Sequence, residues 1–144
     1  MGDLSELQAK VQRILAESWR VELVEGGGYF VRGESTGCYI DCFEGEKGKW
    51  NYVYLQSWVL MGVPITDEFL RYVASDDRMF GKLVITFSES GDMGDLRFNH
   101  TILGNYLDSD ELNSAVMAVF YTADHLDDEL QQRFGGQRAI DGRE

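Results

Sequence analysis

The sequence predicts an α+β domain: an antiparallel β-sheet of five to six strands carrying an N-terminal, a central and a long C-terminal helix. Two observations predict it. From Asp108 to Gly136 apolar residues fall at Leu112, Val116, Val119, Ala123, Leu126 and Leu130, the three-four spacing of one buried helix face. Between residues 19 and 61 the pattern has period two, and the breaks are too short for crossover helices, so the strands must run antiparallel.

The elements follow in order. Asp3 and Glu6 fit a capping box, and Leu4, Leu7, Val11, Ile14 and Leu15 share one face of a first helix running to about Ser18. Trp19 to Leu23 alternates as a half-buried strand, broken by Gly26-Gly27-Gly28; Tyr29 to Arg32 begins the next. Gly33 to Gly37 is a turn, Cys38 to Glu44 a third strand, and the polar 45–49 segment leads to a longer strand from Trp50. Met61-Gly62-Val63-Pro64 ends it, and Thr66 caps a short helix with Phe69, Leu70 and Val73 facing inward. Lys82–Ser88 and Leu96–Leu103 are strands reversed at Gly91-Asp92-Met93-Gly94. Acids in its first turn and Gly135-Gly136 at its end bound the last helix. Residues 1–136 form a single domain, and 137–144 read as a polar C-terminal tail, expected to be disordered.

Composition narrows the function. A chain of 144 residues with 44% hydrophobic and 12% aromatic content buries a core without metal or disulfides. Its formal charge of −12 argues against nucleic acid, which needs clustered Lys and Arg, and against an anionic membrane surface. No apolar run is long enough to span a bilayer, and the N-terminus lacks the pattern of a signal peptide or of myristoylation. The expected location is the cytoplasm. Cys38 and Cys42 are four apart on one strand, about 13 Å, which is too far to pair and suits two small buried hydrophobes.

No motif supports catalysis or a cofactor. Gly33-Glu34-Ser35-Thr36-Gly37 matches the Gly-x-Ser-x-Gly pattern of serine hydrolases, but it lies between strands instead of on a strand-to-helix turn. Gly26–Gly28 and Gly45–Lys49 lack the spacing of phosphate loops. His125, with Asp124, Asp128 and Glu129, reads as a solvated acidic helix face, and no metal site can be assembled around it. His100 has no nameable acid or nucleophile, and Asp92 and Asp95 belong to a plain turn.

The aromatic centre is Trp50–Met61. Alternation puts Trp50, Tyr52, Tyr54, Gln56 and Trp58 on one face of the strand and Val53, Leu55 and Val59 on the other, which meets the helices. The aromatic face is then either a second packed surface, core or dimer interface, or a half-exposed platform for a partner. Trp50, Tyr52, Tyr54 and Trp58 are the candidate partner-binding residues.

Phe80-Gly81-Lys82-Leu83 leads into the fifth strand. The C-terminal run holds Leu112, Ala123-Asp124-His125-Leu126-Asp127-Asp128-Glu129-Leu130 and Arg133-Phe134-Gly135-Gly136. With the element order, these residues resemble the YbjN family and the type III secretion chaperone-like fold. The resemblance implies a non-enzymatic cytoplasmic protein for regulation or chaperone-like binding, pairing as a homodimer and holding extended client segments. It supplies no catalytic residue. The expected function is protein binding by β-strand addition or apolar-groove capture. The alternative is a small-molecule or stress-signal sensor with a pocket between sheet and helices, and an enzyme ranks third.

Overall fold

The computed structural model describes residues 4–46 and 49–142. Helix α1 (Leu4–Ser18) is followed by β1 (Val21–Leu23), β2 (Tyr29–Arg32), β3 (Gly37–Glu44) and β4 (Asn51–Pro64). Helix α2 (Asp67–Ser75), strands β5 (Lys82–Phe87) and β6 (Met93–Leu103), and helix α3 (Ser109–Phe134) complete the layers, with a 3-10 turn at Ala139–Gly142. The strands form one antiparallel sheet in the order β1-β2-β3-β4-β6-β5. This is the expected α+β architecture, with six strands.

Helices α1 and α3 lie on one face of the sheet. Leu7, Val11, Ile14 and Leu15 of α1, and Leu112, Val116, Val119, Ala123, Leu126 and Leu130 of α3, are all buried. They meet Cys38, Ile40 and Cys42 of β3, Val53, Leu55 and Val59 of β4, and Leu96 and Phe98 of β6. Burial pushes both cysteine thiols up to about 12, so they remain protonated, and both are free. The Phe69 ring of α2 lies 5.2 Å from that of Phe134, which docks α2 on the end of α3.

The caps form as the sequence dictates. Thr66 Oγ1 accepts from Phe69 N–H at 3.1 Å, and Asp108 accepts from Glu111 N–H at 2.8 Å. Gly135 and Gly136, at φ +86° and +84°, turn the chain off α3. The capping box proposed on Asp3 lies outside the described residues, as do Lys47 and Gly48 of the β3–β4 connection.

Apart from single-residue shifts, four boundaries differ from the sequence reading. Strand β1 starts at Val21, because Trp19 is drawn inward: its ring meets Phe120 edge-on at 5.5 Å and its Nε1–H donates to Asn113. Strand β4 continues to Pro64 through irregular register between Trp58 and Val63, where Gly62 takes φ +66°. Strand β6 starts at Met93, so the reversal is tighter than Gly91–Gly94: Ser88 N–H donates to the Met93 carbonyl and Gly91 N–H to the Ser88 carbonyl. The fourth concerns the tail. In that irregular stretch Met61 has no partner on β6; Gln137 takes its backbone, donating at 2.8 Å and accepting at 2.7 Å. Arg138 then pairs with Asp141 at 2.9 Å. Residues 137–142 are therefore docked on β4, where a disordered tail was expected. Polarity alone misread them, because their anchoring is through the backbone.

Candidate functional site

Strand alternation sends every second residue of the sheet away from α1 and α3. The registers Phe30↔Tyr39, Phe43↔Tyr52, Asp41↔Tyr54, Tyr39↔Gln56 and Trp58↔Arg97 assemble that second face. Tyr52, Tyr54, Gln56 and Trp58 are half-buried on it, while their strand neighbours Val53, Leu55, Ser57 and Val59 are wholly buried. Tyr39 and Phe43 are exposed. The face is a sheet of rings, with Phe30 and Tyr39 centroids 4.6 Å apart and Phe43 and Tyr54 6.1 Å apart. Gly37 is required here, since a Cβ at this position would collide with the Phe30 ring.

One cleft borders this face, and a second opens at the end of the sheet beside Glu111 of α3. The first, of about 480 Å³, is lined by Phe30, Arg32, Gly37, Tyr39, Trp58 and Met61, with Ala139 of the docked C-terminal segment on its rim. The other, of about 690 Å³, is lined by Trp50, Ile102, Leu103, Asn105 and Tyr106. Tyr106 is almost fully exposed and sits at φ +72°, a left-handed conformation that costs a non-glycine residue about 1 kcal/mol or more. From Trp50 to Trp58 is eight residues, about 27 Å at strand rise. Of the four candidate residues, Tyr52, Tyr54 and Trp58 share the sheet face; Trp50 precedes β4 and is exposed beside the second cleft.

Arg97 is the polar centre of the face. Its Nη1 donates to Gln56 Oε1 at 2.6 Å and to the Tyr54 hydroxyl at 3.5 Å, and its guanidinium lies 5.9 Å from the Trp58 ring centroid. Its Nε and the neighbouring Asn99 Oδ1 are buried without hydrogen-bond partners. Phe30, Tyr39, Phe43 and Arg97 escaped sequence reasoning. Alternation within β3 places Tyr39 and Phe43 opposite the cysteines, but their meeting with Tyr54 and Trp58 depends on strand register.

A second cluster ties the β2–β3 turn to α3. Asp124 accepts from the backbone N–H groups of Glu34, Ser35 and Thr36 at 3.1, 3.1 and 2.8 Å and from the Ser35 hydroxyl at 3.0 Å. The single proton of that hydroxyl is shared with Asp127, which is only 1% exposed. Burial pushes the Asp127 carboxyl up, the Ser35 hydrogen bond opposes this, and the Asp124 charge adds to it. This corrects the reading of a solvated acidic helix face: His125 and Asp128 are exposed, whereas Asp124 and Asp127 clamp a turn. The serine of the Gly-x-Ser-x-Gly pattern is consumed in that clamp. Among the described residues no cluster of His, Cys, Asp or Glu could hold a metal ion, and no helix is long and apolar enough to cross a membrane.

Residues 5–142 match a family model, TY-Chap1, described as T3SS (YopN, CesT) and YbjN peptide-binding chaperone 1. No curated protein matches the chain.

Proposed function

The chain belongs to the family of T3SS and YbjN peptide-binding chaperones, and from that premise we propose that it holds an extended polypeptide segment against the open aromatic face of its sheet. The observation that carries the reading is the split burial of β4. Its aliphatic side is sealed under α3, whereas Tyr52, Tyr54 and Trp58 stay half-buried on a face to which neither α1 nor α3 contributes. Tyr and Trp supply large contact area at low entropic cost, and the rings span the length of an extended segment of about eight residues. β-Strand addition would use a different place, the edge strand β5, Lys82–Phe87, beyond which no strand pairs among the described residues.

Cytoplasmic residence and a homodimer belong to the same proposal. Exposed Met117 and Tyr121, one turn apart on α3, supply apolar surface for pairing.

Selection of binders from a random nonapeptide display library, followed by fluorescence anisotropy on the enriched peptides, tests the reading. The Tyr54→Ala/Trp58→Ala variant is expected to unfold cooperatively near the wild-type temperature and to bind roughly ten-fold or more weakly. Undiminished binding by a folded variant would move the site off this face. Failure to enrich any peptide, together with a thermal shift in a metabolite screen, would favour the sensor reading.

A further inference from the structure

We infer that Arg97 reads a carboxylate: the segment held on the open face carries an internal Asp or Glu side chain, flanked by apolar residues, that pairs with this guanidinium. The inference rests on the peptide-binding reading and specifies the chemistry of its occupant.

The chain carries 25 acidic against 13 basic residues, so carboxylates are plentiful around its cations. Among the described residues Arg32, Lys49, Arg78, Arg133 and Arg138 have carboxylates within 4 Å; Arg13, Arg20, Arg71 and Arg97 have none, and of these four Arg97 alone is withdrawn from solvent, the others being exposed. The nearest acid along its own strand on this face, Asp95, accepts from Gly62 N–H. Arg97 is held by neutral groups only, Gln56 and Tyr54 at Nη1 and the Trp58 ring at 5.9 Å.

Two buried polar atoms on this face lack partners. Arg97 Nε has no acceptor, and Asn99, 5% exposed and two residues along the same face, has no donor for Oδ1. An unpartnered buried charged donor is costly, and a carboxylate drawing the guanidinium outward relieves it through the fork geometry that arginine offers. Lys82, exposed on β5 and in register with Asn99, adds a second cation on the same face. The surrounding rings exclude water and strengthen the pair. They also define its neighbours, since a segment lying over Tyr39, Trp58 and Tyr54 places apolar side chains beside the acid.

An internal acid is favoured over a chain terminus because the rings lead from Trp58 to Phe43 on one side of Arg97 and the cleft bordered by Met61 and Ala139 opens on the other, so the bound segment has surface to run on in both directions.

The test compares the random nonapeptide selection on the wild type, Arg97→Met and Arg97→Lys. Thermal unfolding serves as the folding control, and Arg97→Lys keeps the charge if Arg97→Met does not fold. Enriched sequences are remade with acetylated and amidated ends, each with its acid changed to the amide. Expected is a single acid between apolar residues in wild-type binders. Amide replacement should weaken binding roughly ten-fold or more, and Arg97→Met should abolish that discrimination. Peptides that bind the wild type equally as acid and amide overturn the inference and leave the peptide-binding reading standing. A requirement for a free C-terminus overturns the internal position. Enrichment of no peptide at all sinks both readings. A wild-type dimer that Arg97→Met converts to monomer in sedimentation assigns the carboxylate to a second copy and overturns the peptide occupant.

Discussion

Asp127 shows how one side chain can be both a structural tie and a burden. It anchors the turn through Ser35, yet it sits buried beside Asp124, and burial raises its carboxyl above the ordinary 3.8. The charges of Asp124 and Arg138 act on it, and a backbone hydrogen bond from Asp128 opposes the rise. The folded chain therefore holds this proton more firmly than the unfolded chain. The associated stability is complete below pH ~3.8 and is lost as pH rises through the raised value. The Asp127→Asn variant keeps the polar contact without titrating. The difference in unfolding free energy between it and the wild type is expected to move in favour of Asn as pH climbs from about 4 to neutrality. Urea unfolding at a series of pH values measures it, and a difference that stays level across that range would contradict the account.

The β5–β6 hairpin depends on His100. Its Nδ1 accepts from Gly81 N–H at 3.1 Å, and its ring lies 3.8 Å from that of Phe80. Gly81 sits at φ +72°, and a Cβ there would strike the Phe98 ring, so a side chain is barred on both counts. Burial lowers the imidazole below its ordinary 6.5. The neutral ring is the form that accepts, so the stability it contributes is present above pH ~6.5 and is lost as pH falls through the lowered value. The hydrogen-exchange protection factor of the Gly81 amide is expected to fall on acidification in that window. It should lose this dependence in His100→Phe; an unchanged profile in the variant would remove His100 as the cause.

At the scale of the whole molecule, one sheet separates a sealed face from an open one. Leu55 and Tyr54 are adjacent in β4 yet belong to different environments, 0% exposed beneath α3 and half-buried among rings. Leu55→Ala is expected to cost about 2–5 kcal/mol through lost burial and the cavity left behind. Tyr54→Ala should cost about 1 kcal/mol, since its surroundings can relax into solvent. Chemical denaturation separates them. Comparable losses at the two positions would mean that the aromatic face is covered in solution.

Periodicity was enough to read α3, α1 and the two sides of β4, because burial on one face writes itself into i, i+3, i+4 and i, i+2 spacing whatever the partner. The caps at Thr66 and Asp108 and the stop at Gly135-Gly136 were equally local, and so legible. Register is another matter. Nothing in the run around Arg97 says that it faces Trp58, or that Phe30, Tyr39 and Phe43 join Tyr54, since those pairings are chosen by how the hairpins close. Asp124 and Asp127 looked like any solvated helix acids until α3 met the Gly33–Thr36 turn, some ninety residues earlier in the chain. Gln137 looked like tail until the irregular stretch of β4 left Met61 in need of a partner. The sequence by itself determined the main elements, the sealed side of the sheet and the acidic balance of the chain, because those follow from side-chain chemistry and local spacing. Only the tertiary structure decided which rings gather around Arg97 and which acids leave solvent, because both are set by contacts between residues that strand pairing and helix docking bring together.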